Sequence, residues 1–460
     1  MSALSVINGI CFVILIYFAI LWSGSLLFLL AAFRTIINRY HESPFNALML
    51  EHTTLAITII IPAYNEAHRI ENTITAILNS DYKKIHLIIV NDGSTDSTLQ
   101  LLIDKYQLIK VPSAFKGKIP TGKVKAYYES RSRAYFTVVD KEHSPYANAG
   151  ADSVNAGLNI CRTPLYITID SDTLVEPEAI SRMLFTYLIN PHCVAVGGSI
   201  YIPDTRKIVN GKMTDTNIPP NLLLGVQVAE YLRSFLYGHE GWTSVGGALC
   251  HPGAFTLIET QVARDIGGYD PYNFSYDAEI ILKLHHYMRK NHFPYSIVYA
   301  SNAISWSEQP KTLKGFWRQR SYWQRGLLRC MALHKTMILN PYYRKTGLLA
   351  WPYYILFEIF GPVVEGISYI MVVILLFISS LSWHSIAWLW LLAWSYMLFI
   401  TLSCMVLSII TYNKYYRKLD ILKIFALTTI EMGFYRQYRA FCALFSTGHY
   451  LINRLRGKPL

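Results

Sequence analysis

The chain is poor in charge. Only 16% of its 460 residues are Asp, Glu, Lys or Arg, against 52% hydrophobic. Its seven cysteines (11, 161, 193, 250, 330, 404, 442) include no CxxC pair. That argues against a metal site built on cysteine and fits reduced, buried small hydrophobes in a cytosolic domain and membrane spans. No long basic run exists either, so the net charge of +12 does not read as a nucleic-acid surface. The most telling absences are local. Residues 5–33 carry no charge, residues 384–411 carry none, and 348–381 is interrupted only by Glu358 and Glu365.

Runs of that length span a bilayer. Residues 5–33 are too long for a signal-peptide core and no small-residue cleavage site follows, so they read as a retained anchor. Residues 421–452 are mixed, with Glu431, Arg436 and Arg439 inside them. They fit an amphipathic helix at the membrane surface best, with a fourth span as the other choice. Lys and Arg then set the orientation. None precedes residue 34, loops 340–347 and 413–418 are basic, and loop 379–385 is not. The N-terminus is expected outside and residues 34–347 in the cytoplasm, in a multi-pass protein of the cell membrane. Part of the net charge would then face anionic lipid headgroups.

The cytoplasmic block alternates strands and helices. ITIIIP (57–62) is a β-branched run, followed by AYNEAHR and a helical stretch. HLIIV (86–90) leads into NDGSTD and a helix at 96–106. YFTVVD (135–140) and PLYITID (164–170) are further strands, with a helix over 148–161 between them. Such alternation predicts a parallel sheet with right-handed crossovers. The polar motifs sit where strands end, the edge at which open α/β sheets bind ligands.

At that edge Asp170 and Asp172 stand one residue apart. Two carboxylates repel, and oxygen pairs of this form suit Mg²⁺ or Mn²⁺ held together with substrate phosphates. A strand-end cap or turn is the commoner reading of an isolated Asp-x-Asp. Here, however, Asp92 ends the second strand, and Pro62, Tyr64, Asn65 and Glu66 end the first. Helix capping accounts for Ser94, Thr95 and Asp96 better than for Asp92.

PAYNE, VNDGSTD and IDSDT, in this order, resemble the inverting family-2 glycosyltransferases with a GT-A fold. Further segments carry the likeness across nearly the whole chain: KIPTGKVKAYYESRS (118–132), HPGAF (251–255), GGYD (267–270), WRQRSYWQRG (317–326) and FYRQYRAF (434–441). The resemblance is to the processive membrane branch, the synthases of cellulose, hyaluronan and poly-N-acetylglucosamine. It implies an α/β GT-A-type, mostly parallel sheet flanked by helices, within an integral membrane protein of 3–4 spans. It also implies a division into 1–34 anchor, 35–300 catalytic domain, 301–347 interfacial and gating helices, 348–411 two spans, and 412–460 a C-terminal amphipathic or fourth spanning segment. By the same resemblance Pro62, Tyr64, Glu66, Asp92, Asp152 and Asp170 bind a nucleotide-sugar donor, with a UDP-sugar expected. Asp170 and Asp172 hold the cation and diphosphate, and Asp277 is the general base. Gln319, Trp323 and Arg325 belong to an interfacial acceptor and gating helix.

Three positions depart from the family pattern. Tyr276 stands where a Glu is usual, Tyr322 where an Arg would meet the diphosphate, and Gly150 where a Lys is usual. Arg325 or Arg320 could substitute for the Arg, and Lys123 or Lys125 for the Lys. The leading reading is a transferase extending a polysaccharide at the membrane and coupled to export. With so few spans, a homo-oligomer or a partner subunit could complete the passage. A single-addition transferase onto a lipid-linked acceptor uses the same site. A third reading is a degenerate nucleotide-binding membrane protein that needs a partner.

Overall fold

The structure is a computed structural model describing residues 3–41, 53–112, 117–204, 207–377, 382–412 and 417–457. Residues 379–381 and 413–416, which the orientation reading uses, lie outside them. The strands are β1 Ile57–Ala63, β2 Ile85–Asp92, β3 Leu108–Val111, β4 Val124–Ser130, β5 Phe136–Lys141, β6 Leu165–Ile169, β7 Leu174–Val175, β8 Cys193–Tyr201, β9 Ile208–Val209, β10 Lys212–Met213, β11 Phe255–Glu259 and β12 Ser296–Trp306. Ten of them form one sheet, ordered β3-β4-β5-β2-β1-β6-β11-β8-β12-β7.

The expected parallel core is there: β5, β2, β1 and β6 are neighbours and all run parallel. β11 runs antiparallel to both β6 and β8, and β3 and β4 add an antiparallel edge beside β5. The sheet is therefore mixed. The β-branched run of β1 explains its central place, because Ile57, Ile59, Ile60 and Ile61 are fully buried, with helices covering both faces. Helices α1 Ala3–His41, α2 Ile70–Leu78, α3 Thr98–Tyr106, α4 Ala149–Ile160, α5 Ala179–Ile189, α6 Leu222–Arg233 and α7 Tyr276–Lys290 come before or between the strands.

After β12 the chain leaves the sheet. The remaining long helices are α8 Leu313–Leu333, α9 Gly361–Phe377, α10 Trp383–Tyr412, α11 Lys418–Ile430 and α12 Arg436–Leu455. Among the described residues, Gly9–Asn38 and Trp383–Tyr412 are long and apolar enough to cross a membrane. The pair Thr346–Ile359 and Gly361–Phe377, bent by 41°, would make a third. α1 and α10 meet where Trp22 stacks on Tyr396, with ring centroids 5.0 Å apart, and Tyr396 Oη donates to Trp22 O.

The C-terminal segment does not qualify as a span by length and composition. α12 turns Ala440, Cys442, Ala443, Ser446, Thr447 and Tyr450 inward, while Phe445, Ile452 and Leu455 are exposed. Small and polar side chains face the protein and apolar ones face outward, as suits a helix lying against lipid.

Candidate active site

β1, β2 and β6 all end at one edge of the sheet, and their loops are tied together. Asn65 adopts φ 57°, and its side-chain oxygen accepts from Thr95 N at 2.8 Å and Asp96 N at 3.2 Å. Glu66 N donates to Thr98 Oγ1 at 2.9 Å. Thr73 on α2 donates to Ser171 O at 2.7 Å, between the two aspartates. The loop after Pro62 is thus fixed to the loop after β2 and, through α2, to the Asp170–Asp172 turn. Tyr64 is exposed and lays its ring against His143, 4.4 Å between centroids.

Asp92 is almost wholly buried and fully engaged. Its carboxylate pairs with Lys141, meets His143 Nδ1 at 2.7 Å and accepts from Ser144 N at 3.1 Å. Lys141 also reaches Asp152 Oδ2 at 2.8 Å, and Asp152 Oδ1 accepts Gly122 N at 2.9 Å. Asp152 therefore reaches Asp92 through Lys141. Both side chains are completely shielded from solvent. One buried cation between two buried carboxylates is an arrangement that would be costly with any member missing. Lys141 is the residue that sequence reasoning overlooked. Lys123 instead pairs with Glu142 at the surface and Lys125 is exposed.

Asp170 and Asp172 are half-buried and flank a buried Ser171. Burial first, then the carboxylates of Asp172, Asp277 and Glu66, push the Asp170 carboxyl up to about 7. Burial, Glu66 and Glu308 raise Asp172 to about 6, against a smaller opposing effect of Arg69. Glu66 is raised too, chiefly by burial. Asp277, in the first turn of α7, is raised by burial, and Ala278 N donates to its Oδ1 at 2.9 Å. Asp170, Asp172, Asp277 and Glu66 thus share one negative field at the end of β6. Such a cluster suits a divalent cation. Among the described residues no three His, Cys, Asp or Glu side chains converge on a metal position. The chain offers two carboxylates, and phosphate and water oxygens would complete a shell.

α8 packs against the loop that precedes Asp277. Ser275 Oγ donates to Trp323 O at 3.2 Å, and α8 approaches so closely that a Cβ on Gly326 would lie 2.3 Å from Ser275 N. Gln319 Nε2 donates to Gln309 Oε1 at 3.2 Å. Arg320 turns away from the acidic cluster, to Glu230 Oε2 at 2.7 Å, with its guanidinium 4.4 Å from the Trp323 ring centroid. Arg325 stays beside the site, 4.9 Å over the Phe274 ring and within electrostatic reach of Tyr322. Of the two candidate arginines, only Arg325 is placed to act there.

The sequence from residue 55 to 326, carrying all of these carboxylates, matches the model described as "Glycosyltransferase like family 2". The chain belongs to that family. This glycosyltransferase is 28% identical over 291 residues to a poly-beta-1,6-N-acetyl-D-glucosamine synthase of Staphylococcus epidermidis, covering 62% of this chain and 58% of that protein. It is 27% identical over 270 residues to a synthase of the same name from Staphylococcus aureus (strain COL), covering 59% and 54%. The aligned stretch thus spans a little over half the length of those relatives, narrower than the whole-chain likeness expected from the motifs. Its fold is similar to that of mannosyltransferase PcManGT from Pyrobaculum calidifontis, solved in complex with GDP-Man and Mn²⁺. That likeness has a TM-score of 0.50 at 15% identity, over 90% of this chain and 99% of the other, and shows the GT-A-type fold alone.

Proposed function

We propose that this family-2 glycosyltransferase is an inverting polysaccharide synthase. It would move a sugar from a nucleotide-sugar donor, a UDP-sugar first among candidates, to a growing glycan at the cytoplasmic face of the membrane. The observation that carries this reading is Asp277. It heads α7 beside the Asp170 carboxylate, next to the loop that Trp323 on α8 holds by its backbone.

In inverting transfer a carboxylate takes the proton of the acceptor hydroxyl as that oxygen attacks the anomeric carbon. Asp277 is the residue assigned to that proton, and burial keeps its carboxylate basic enough to accept it. Asp92, fixed by Lys141 and supported through it by Asp152, is assigned to the nucleoside with Pro62, Tyr64 and Glu66. Asp170 and Asp172 would hold Mg²⁺ or Mn²⁺, which when bound neutralises a leaving diphosphate. Gln319, Trp323 and Arg325 line the acceptor side, where an aromatic face suits a sugar ring.

Glu358 favours a glycan that continues into the membrane region. It is an exposed carboxylate on the bent apolar pair, within electrostatic reach of Arg439. Ionisable side chains in such segments usually face water-filled passages or pathways.

The test is incubation of the full chain in nanodiscs with Mn²⁺ or Mg²⁺ and a panel of nucleotide sugars. Released nucleoside diphosphate and product size are recorded, with Asp277→Asn as control. Asp277-dependent release with a long product is the expected result. One sugar added to lipid would replace the synthase by a single-addition transferase. Equal release by Asp277→Asn would remove the assigned base.

A further inference from the structure

His143 follows β5 at the edge where the parallel strands β1, β2 and β5 end, and it is held there by several contacts. Its Nδ1 lies 2.7 Å from Asp92 Oδ2 and 3.0 Å from Asp92 O. On the next residue, Ser144 N donates to Asp92 Oδ1 at 3.1 Å, and Tyr146 N donates to Ser144 Oγ at 3.2 Å. Gly93 takes φ 66° and passes so close that a Cβ there would lie 2.5 Å from His143 N. The Tyr64 ring, just past the end of β1, backs the imidazole with centroids 4.4 Å apart and planes 32° apart. Three strand ends therefore meet at one imidazole.

These contacts decide which ring nitrogen carries the hydrogen. A carboxylate and a carbonyl oxygen only accept, so Nδ1 donates to Asp92, and the neutral ring then presents Nε2 as an acceptor. The His143 side chain is 54% exposed, and among the described residues its Nε2 has no hydrogen-bond partner. The Asp92 carboxylate is the opposite case. Its side chain is only 3% exposed and is already held by Lys141, His143 and Ser144 N. A ligand arriving at this edge meets the imidazole before the carboxylate.

We propose that His143 Nε2 reads the nucleobase of the donor by accepting the hydrogen of a ring imide N–H, which selects uracil, with Asp92 and Tyr64 as positioning residues for the imidazole. The proposal rests on the glycosyltransferase reading above and names the part of the donor recognised at that site. One lone pair matches uracil, whose N3–H stands alone between two carbonyls. Guanine presents two adjacent N–H donors, which suit a carboxylate able to accept both, and the Asp92 carboxylate is already engaged. Cytosine has an acceptor at the same ring nitrogen, so two lone pairs would face each other.

The test is titration calorimetry of the full chain in nanodiscs with Mn²⁺, using UDP, 3-methyluridine diphosphate, CDP and GDP. The natural chain is expected to bind UDP tightest. It should lose about tenfold or more on N3 methylation, which removes the hydrogen that Nε2 accepts. His143→Phe keeps a ring against Tyr64, and His143→Asn keeps an amide able to donate to Asp92. In both, UDP binding is expected to weaken about tenfold and methylation to cost less than about threefold. Both should stay folded, with thermal midpoints within about 2 °C of the natural chain. Asp92→Asn leaves Lys141 paired with Asp152. It is expected to lose the discrimination against the methylated base, a readout that lowered stability alone would not move. A methylation penalty of equal size in the natural chain and both His143 variants would overturn the proposal, as would tighter binding of CDP or GDP than of UDP. Discrimination retained in Asp92→Asn would remove Asp92 as a positioning residue. Binding of none of these diphosphates would remove the nucleotide-sugar reading and this proposal with it. UDP and its methylated form bound equally by the natural chain would remove the role of His143 alone.

Discussion

Without a divalent cation this protein should become less stable as pH rises, opposite to ordinary acid denaturation. Asp170 sits about three units above its usual value, which corresponds to roughly 4 kcal/mol. Asp172, raised to about 6, adds to this, but the two carboxyls share one interaction and do not sum. The sign follows from linkage. Between about pH 4 and 7 the folded chain holds protons on this pair that the unfolded chain has released, so stability falls with rising pH through that window. Above about pH 7 the whole penalty applies. At roughly 2–4 °C per kcal/mol for a domain of this size, the midpoint should fall by about 8 °C or more. A cation binding the ionised pair reverses the loss. The assay is thermal unfolding in nanodiscs from pH 5 to 8.5, with chelator or with Mn²⁺, for the natural chain and Asp170→Asn. The difference between the two chains isolates the pair from other carboxylates. A chelated difference that is flat across this range, or an Mn²⁺ effect at pH 8 that survives in Asp170→Asn, would refute the reasoning.

Lys141→Met strands two buried carboxylates, so it should cost about 3–5 kcal/mol and abolish nucleotide binding. Adding Asp152→Asn should return part of the stability, and a loss under about 1 kcal/mol in calorimetry would show that water already screens the pair. Glu230→Gln removes the charged acceptor of Arg320 and Arg439 and should cost about 2–4 kcal/mol. It should also slow donor turnover, because α8 loses its anchor. Unchanged turnover at a lowered midpoint would confine Glu230 to stability. Glu358→Leu should shorten the product severalfold while the first transfer persists, as gel filtration of the glycan would show. Full-length product from that variant would remove Glu358 from the passage.

The rim of the site was legible because it is built from local signals. β-branched runs mark β1, β2 and β6, and the polar residues that follow them must lie at one sheet edge once those strands are parallel. Asp170, Asp172, Asp92 and Glu66 come from that logic. Lys141 does not, since no motif surrounds it. Its partner is set by register: β2 and β5 pair so that Asp92 stands opposite Lys141. Aligning the ends of VND and VVDK as parallel neighbours would have found it. The antiparallel insertion of β11 between β6 and β8 depends on chain segments nearly ninety residues apart, beyond the reach of periodicity. The choice between Arg320 and Arg325 was equally undecidable from spacing, because it depends on where Glu230 lies.

Glu230 ties α8, beside the candidate active site, to the C-terminal helices. Its carboxylate accepts from Arg320 of α8, Arg439 of α12 and the Tyr435 hydroxyl. Those neighbours hold it down at about 2 against the opposing effect of burial, so it is charged at any working pH. Arg436 pairs with Glu365 of α9 at 2.7 Å, and Arg439 comes within 4.0 Å of the same carboxylate. Arg233 of α6 pairs with Glu431 and donates to Thr401 of α10 at 2.7 Å. Charge-assisted bonds therefore run from the helix bearing Trp323, through α6 and α12, into the apolar helices. A buried network of this kind is tolerable only when complete, since each missing member strands a charge. The segment from 55 to 326 that carries the family match contains Glu230, Arg233 and Arg320 but neither Arg439 nor Glu431. Cut out alone, it would leave Glu230 without Arg439 and Arg233 without Glu431, and α8 would lose its packing on α12. The position of α8 is thus set jointly by Glu230 within the family-matched segment and by α12 beyond it, so the proposed acceptor site would need both.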